Sequence, residues 1–288
     1  MDLKILSWNV RHFKGPRENW RNLPNSEKDR AQAERVARVA KVIIDQDPDI
    51  FAVLEVVGDQ GPYKLAEALP DYSFLLTEGD QTQEILVGYK HGLRVFFTQK
   101  GEFKENNIHL RPAPVLTVKL PGAEPLAVLF GHFKSMTSPD GWGLRASMFE
   151  KVGDLKRALD RHAGTRGAAT ARFVVMGDLN TMGMRLTDAR GDITAADEIA
   201  RIDKRLARRN LRRLSKSHSA TYSGGSTSSY QDADLDHVYV DKGLIVQPEG
   251  GHECVVGGWT RESTTEGKDR WIKKLSDHAP IWLTLTDL

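Results

Sequence analysis

Residues 3–10 alternate apolar and polar positions as a strand with one buried face does, and the polar, basic stretch Arg11 to Arg30, with Gly15-Pro16 and Pro24, reads as a loop. From Ala33 the apolar positions Val36, Ala37, Ala40, Ile43 and Ile44 recur at helical spacing; Ser26 with Asp29 could cap this helix, and Pro48 stops it. Asp49 to Leu54 is a nearly continuous apolar run, the pattern of a strand covered on both faces. A short helix around Lys64 to Leu69 then precedes strand-like pieces at Tyr72 to Thr77, Glu84 to Tyr89, Arg94 to Thr98, Val115 to Leu120 and Leu126 to His132. Short strands in succession, broken by Gly, Pro and Asp, predict a largely antiparallel arrangement.

The second half predicts a helix from Leu144 to Arg161 with Phe149, Val152, Leu155 and Leu159 as its stripe, and a strand Phe173 to Met176 that ends at Gly177-Asp178. Ala195 to Leu214 reads as a strongly basic helix, Ser223 to Ser229 as a low-complexity loop, and Leu235 to Val240 and Ile281 to Leu285 as strands. No repeat and no linker divides the sequence. The expectation is one domain over residues 1–288 in which strands from both halves build paired sheets flanked by helices.

Composition removes whole classes of answer. With 40% hydrophobic and 28% charged residues the chain is an ordinary globular sequence, and no apolar run approaches the ~20 residues of a membrane-spanning helix. The 41 basic and 39 acidic residues leave +2, so any surface for a polyanion must come from local segregation of charge. Cys254 is the single cysteine and closes no disulfide within the chain. Met1 leads straight into the first strand without an apolar leader, so the default expectation is a cytoplasmic monomer, although a form trimmed of its signal peptide would read the same.

Polar residues that interrupt apolar strands carry the chemical information, because a buried carboxylate or amide without a partner is expensive. Asn9, Glu55, the pair Asp178 and Asn180, Asp236, and the pair Asp277 and His278 all interrupt or end apolar runs. Oxygen donors without a thiolate cluster suit Mg²⁺ (or Mn²⁺), which keeps waters and binds phosphate oxygens. His278 and His132 add groups that titrate near neutrality. Carboxylates, a hard cation and histidines are the parts needed to hydrolyse a phosphate ester.

The segments Ile5-Leu6-Ser7-Trp8-Asn9-Val10, Asp47 to Glu55, Gly177-Asp178-Leu179-Asn180, Asp234-Leu235-Asp236-His237-Val238 and Ser276-Asp277-His278, in this order, resemble the endonuclease/exonuclease/phosphatase superfamily. The resemblance spans Ile5 to Trp282 and implies a four-layer α/β/β/α sandwich of two mostly antiparallel sheets and a metal-dependent phosphodiester hydrolase. It implies that Asn9, Glu55, Asp277 and Asp178 serve the metal, with Glu55 the principal ligand. Asp178 and Asn180 would orient the attacking water and contact the phosphate or a second metal. His278, oriented by Asp236, would act on the water or on the phosphoryl oxygens. His132 matches the strand-end histidine of the deoxyribonuclease and sphingomyelinase branches, Glu84 resembles the acidic partner of that histidine in deoxyribonucleases and Arg111 a phosphate-contacting arginine of the same branch. Leu54 stands where a glutamine commonly precedes the metal-binding glutamate, and His237 where a tyrosine or arginine is frequent.

The expected activity is a nuclease acting on DNA. A phosphatase or phosphodiesterase of a small or lipid phosphate, and a non-catalytic binding module on the same fold, stay open. Arg201, Lys204, Arg205, Arg208, Arg209, Arg212, Arg213 and Lys216 are either a phosphate-contact surface or a solvated face balanced by Asp192, Asp197, Glu198 and Asp203. Arg11, Lys14, Arg17 and Arg21 pose the same choice, and Trp142 reads as a base-stacking or a packing residue of a loop. His252 near Cys254 is too small a set for zinc, and a buried thiol is the simpler reading.

Overall fold

A computed structural model describes residues 1–13, 24–188 and 190–288. Lys14, Arg17 and Arg21 lie outside the described residues. One sheet draws on both ends of the chain: β1 (Leu3–Phe13), β2 (Ile50–Val56), β3 (Tyr72–Leu76) and β4 (Glu84–Lys90) join β11 (Ile245–Gln247), β12 (Val255–Val256) and β13 (Ile281–Thr286). Its order is β11-β13-β1-β2-β4-β3, with β12 also paired to β13. The second sheet takes the middle, β5 (Val95–Lys100), β6 (Ala113–Val118), β7 (Leu126–His132), β8 (Arg172–Asp178), β9 (Leu211–Arg213) and β10 (Asp236–Asp241), in the order β5-β6-β7-β8-β10-β9.

The pairing is antiparallel except at one place in each sheet. β1 runs parallel to β2, and β7 parallel to β8. A parallel pair needs a crossover. α1 (Asn25–Gln46) supplies the first and α3 (Pro139–Gly164) the second.

The period-two alternation of the strands builds the layers. Ile5, Ile50, Leu54 and Val87 meet Leu116, Val128, Val174 and Val238 between the sheets. The alternate residues Leu6, Trp8, Phe51 and Val53 pack under Val36, Val39 and Ile43 of α1 and Leu65 of α2 (Gln60–Ala68). Leu129, Phe173, Val175 and Tyr239 pack under Phe149 and Val152 of α3 and Ile202 and Leu206 of α4 (Ala195–Ala207). The result is the α/β/β/α sandwich.

Some boundaries differ from the sequence reading for identifiable reasons. β1 continues through Phe13 and α1 begins at Asn25 with no side-chain cap, so Ser26 and Asp29 lie inside the helix. α3 starts at Pro139, where Ser138 Oγ accepts from Gly141 N–H at 3.2 Å, so Trp142 sits on a helix and is half-buried. The basic helix ends early: Asn210 takes the left-handed region at φ 60°, and the chain turns into β9. α5 (Thr265–Lys274) went unread because Ile272 is its one buried residue, which leaves almost no apolar period.

Candidate active site

The carboxyl ends of the two parallel pairs point to the same edge of the sandwich, the edge at which sheet folds place ligands. Asn9 and Glu55 lie near the ends of β1 and β2, and His132 and Asp178 are the last residues of β7 and β8. His132 pairs in register with Asp178, and Asp236, the first residue of β10, is the opposite neighbour of Asp178. Just behind them Gly131 and Gly177 are paired. A Cβ on Gly177 would lie 2.1 Å from the Gly131 carbonyl oxygen, and Gly177 has φ 139°, so only glycine allows this approach.

A single amide organises the acids. Asn9 Nδ2 donates to Glu55 Oε1 at 3.1 Å and to Asp178 Oδ2 at 2.9 Å, while Asn9 Oδ1 accepts from the Arg11 amide at 2.9 Å. The other oxygen of Glu55 accepts from the His12 amide and from Gln83 Nε2, both at 2.9 Å. Burial pushes Glu55 up, but His132, Asn9 and His12 outweigh it and hold the carboxyl at about 2. This cradle is bent backbone. Arg11, His12 and Glu55 have φ 40°, 46° and 62°, unusual for residues with side chains. Arg35 of α1 holds the bend, donating to the carbonyls of Arg11 at 2.7 Å, His12 at 3.0 Å and Leu275 at 2.9 Å. Gln83, His12 and Arg35 were not read from the sequence. Each acts largely through backbone groups or sits in a polar stretch where nothing distinguishes it from surface.

His278 is held on the other side of Asp178. Its Nδ1 donates to Asp236 Oδ2 at 2.8 Å, and its Nε2 lies 3.8 Å from Asp178 Oδ2. Burial lowers its pKa, but Asp236 and Asp178 more than reverse this and raise it to about 10, so the ring is an imidazolium. Burial raises Asp178 in turn, against the attraction of His278, to about 7. Tyr222 lies edge-on against the His278 ring at 5.2 Å. The segment is pinned across the whole chain: Trp8 Nε1 donates to the His278 carbonyl at 2.9 Å, and Ser276 Oγ to the Asn9 carbonyl at 2.6 Å. Asp277 faces Arg11, whose Nη1 is 2.6 Å away, so its carboxylate meets a guanidinium.

His132 Nε2 is 3.8 Å from both Glu55 Oε1 and Asp178 Oδ2. Burial and the charge of Arg111 push its pKa down, against the pull of Glu55. Glu84 is not brought to it. The Glu84 carboxylate accepts from Thr77 Oγ1 at 2.5 Å and from Gln81 Nε2 at 2.7 Å, and burial raises its pKa. His132 Nδ1 and Arg111 Nε are buried and have no hydrogen-bond partner among the described residues. Asn180, at φ 53°, donates from Nδ2 to the Phe133 carbonyl at 3.1 Å and from its amide to Asp178 Oδ1 at 3.2 Å.

His237 now has a place. It is fully buried behind the Asn180 loop, with Nε2 2.7 Å from Thr181 Oγ1 and Nδ1 3.3 Å from Lys216 Nζ. Thr181 Oγ1 gives its own proton to the Asp234 carbonyl, so Nε2 carries the ring proton and Nδ1 accepts from Lys216. Lys216 also bonds the Asp234 carboxylate and the Asp236 carbonyl, the latter at 2.7 Å. Lys216 therefore leaves the basic surface run and ties the start of β10 to the Asn180 loop. Lys216→Met should lower kcat about tenfold, the lower end of what residues orienting a site from behind contribute, with KM little changed; wild-type kcat below the melting transition would reduce the network to packing.

Burial drives the Cys254 thiol up to about 12, an inert side chain, and among the described residues no group of three metal-ligating side chains includes it or His252. The three-member group that does form is Asp178, Asp236 and His278.

A model of the endonuclease/exonuclease/phosphatase family matches residues 6–278. Among solved structures, truncated TDP2 from Caenorhabditis elegans superposes with a TM-score of 0.66 at 16% identity, covering 99% of this chain and 98% of that one. The endonuclease/exonuclease/phosphatase from Bacteroides vulgatus gives 0.61 at 15%, covering 99% and 98%. TDP2 from D. rerio complexed with a single strand DNA product gives 0.60 at 16%, covering 99% of each chain. No curated protein sequence matches.

Proposed function

Because the chain belongs to the endonuclease/exonuclease/phosphatase family, we propose that it is a divalent-metal-dependent phosphodiesterase that hydrolyses DNA with Mg²⁺ (or Mn²⁺). One observation carries the reading: two buried nitrogen groups without partners among the described residues, Arg111 Nε and His132 Nδ1, belong to side chains beside the acids Glu55 and Asp178. Buried donors and acids with unspent capacity suit a phosphate and a cation arriving together.

The donor set fits a hard divalent ion. Glu55 and Asp178 offer carboxylate oxygens that converge on one Asn9 amide, with no thiolate near them, whereas Nδ1 of the imidazolium His278 is already spent on Asp236. Glu55 and Asp178 would hold the ion. Asn9, its side-chain Oδ1 engaged by the Arg11 N–H, would orient the two acids. Asp277 would serve from behind Arg11. When bound, a divalent ion would stabilise negative charge developing on the phosphoryl oxygens.

The side chains do the rest. Arg111 binds a non-bridging oxygen through its fork. Asn180 and Asp178 orient the water opposite the leaving oxygen. His278, kept upright and protonated by Asp236, donates from Nε2 to the phosphoryl group as negative charge develops. His132 offers Nδ1 to the substrate from the β7 edge. None of these roles requires Glu84, whose carboxylate buttresses the Thr77–Gln81 turn.

The substrate is tested directly. Purified protein should nick supercoiled plasmid in Mg²⁺ and stop when a chelator is added. Turnover of a bis-aryl phosphate without nicking would move the substrate to a small phosphodiester, and inertness to both would leave a binding module.

A further inference from the structure

The basic run that the sequence marks from Arg201 to Lys216 is not one surface. Arg205 pairs with Glu150 at 2.5 Å, Arg212 with Glu253 at 2.6 Å, Arg213 with Asp203 at 3.0 Å, and Lys216 with Asp234. The other four, Arg201, Lys204, Arg208 and Arg209, form no ion pair or side-chain hydrogen bond among the described residues. They recur at i, i+3, i+7 and i+8, which puts them on one face of α4 and its C-terminal turn.

The acids that would have balanced them are committed elsewhere. Asp192 accepts from the Leu186 amide, and Asp197 from Thr194 in the helix cap, each at 2.7 Å. Glu198 is buried under Arg145 at 2.8 Å, and Asp203 takes Arg213 and the Tyr239 hydroxyl. None of these acids forms an ion pair with Arg201, Lys204, Arg208 or Arg209 among the described residues.

It also ends in a cleft. Between α3 and the end of α4 is a space of about 330 Å³ lined by Glu150, Gly153, Asp154, Arg205, Arg208 and Arg209. Gly153 is buried in mid-helix, where glycine is about 1 kcal/mol worse than alanine. A Cβ there would stand 3.7 Å from Arg209 Cγ, so the glycine widens the floor beneath that guanidinium. Within the cleft Glu150 is taken by Arg205 and Asp154 by Arg157, which leaves Arg208 and Arg209 facing it uncompensated.

The first turn of α4, just ahead of Arg201, is tied to the loop that follows Asn180. Gly183 N–H, three residues beyond Asn180, donates to Glu198 Oε2 at 2.8 Å, and Met184 bridges Ile193 just before α4. The stripe leads away from that loop: α4 runs on to β9, whose Leu211 pairs with Asp241, the far end of β10 from Asp236. From Arg201 to Arg208 is about 10 Å along the helix axis at ~1.5 Å per residue.

We propose that Arg201, Lys204, Arg208 and Arg209 form a phosphate track that holds the backbone of a nucleic acid running from the candidate site along α4 to the α3–α4 cleft. Three of the four are arginines, whose planar fork matches phosphate oxygens, and among the described residues no large apolar side chain is exposed on α4, which disfavours a lipid surface. The inference rests on the nuclease reading, and the experiment separates the two.

DNA binding is measured against salt in chelator, so that no turnover occurs, for the wild type and for the variant Arg201→Gln, Lys204→Gln, Arg208→Gln, Arg209→Gln. Each phosphate contact contributes about 0.7 to 0.9 to the slope of log K on log salt, so the variant's slope should be shallower by about 3. A control carrying Arg94→Gln, Lys119→Gln and Lys242→Gln should keep the wild-type slope. An unchanged slope in the quadruple variant, or equal flattening in the control, overturns the track while leaving DNA hydrolysis in place. A wild type that turns over bis-aryl phosphate but neither binds nor cleaves DNA overturns the nuclease reading, and the track with it.

Discussion

Glu55→Gln is expected to lower kcat by at least about 10³, because an amide cannot supply the anionic charge that holds a divalent ion, and the ion's stabilisation of developing charge amounts to several kcal/mol. The substitution is isosteric, so the effect separates from folding. The Glu55 carboxylate accepts from Asn9, His12 and Gln83, and a glutamine must turn its NH₂ toward one of those donors. One lost hydrogen bond is worth about 1 kcal/mol, which moves the melting midpoint by only a few degrees. Steady-state hydrolysis across a Mg²⁺ titration, with calorimetry alongside, reads both. Wild-type turnover in the variant would remove Glu55 from the metal.

Arg145→Met is expected to destabilise the fold by about 3–5 kcal/mol, the range for stripping one partner from a buried ion pair. Arg145 is fully buried, and its Nε and Nη2 grip both oxygens of Glu198 at 2.8 and 3.0 Å. The remaining hydrogens reach the carbonyls of Lys134 and Met136 at 3.0 Å and of Gly183 at 2.9 Å. Those carbonyls belong to the loops that follow His132 and Asn180. The midpoint should fall by about 10 °C at ~2–4 °C per kcal/mol. Adding Glu198→Leu should restore much of the loss, since the orphaned charge is then gone too. A single variant as stable as the wild type in urea would show that Glu198 finds another partner.

Legibility from sequence followed chemistry rather than size. Asn9, Glu55, Asp178, Asp236 and His278 stood out because each breaks an apolar run, and the structure gathers them within hydrogen-bonding or ion-pair range of one another. Arg145 and Glu198 were invisible as a pair. Each lies in a helix most of whose polar residues are solvated, and 53 residues separate them. The proposed acidic partner of His132 failed for a related reason: a strand-start glutamate satisfies motif spacing, while Thr77 and Gln81 fix where its carboxylate turns. The basic stretch beyond Ala207 misled because arginine and lysine are good helix formers, so nothing but the left-handed Asn210 marks the turn into β9.

The clasp between the two ends of the chain also sets a clock. Trp8 and His278 are 270 residues apart, and Ser276 and Asn9 267, yet each pair shares a hydrogen bond. At roughly 5–20 residues per second of synthesis, β1 leaves the ribosome about 15 to 50 s before its partner exists. Through that interval Asn9 and Glu55 can meet across β1 and β2, but no imidazolium is present to face them. A chain emerging from the ribosome therefore carries only half of the cluster, and whatever hydrolysis the cluster performs begins after the C-terminal strand has docked.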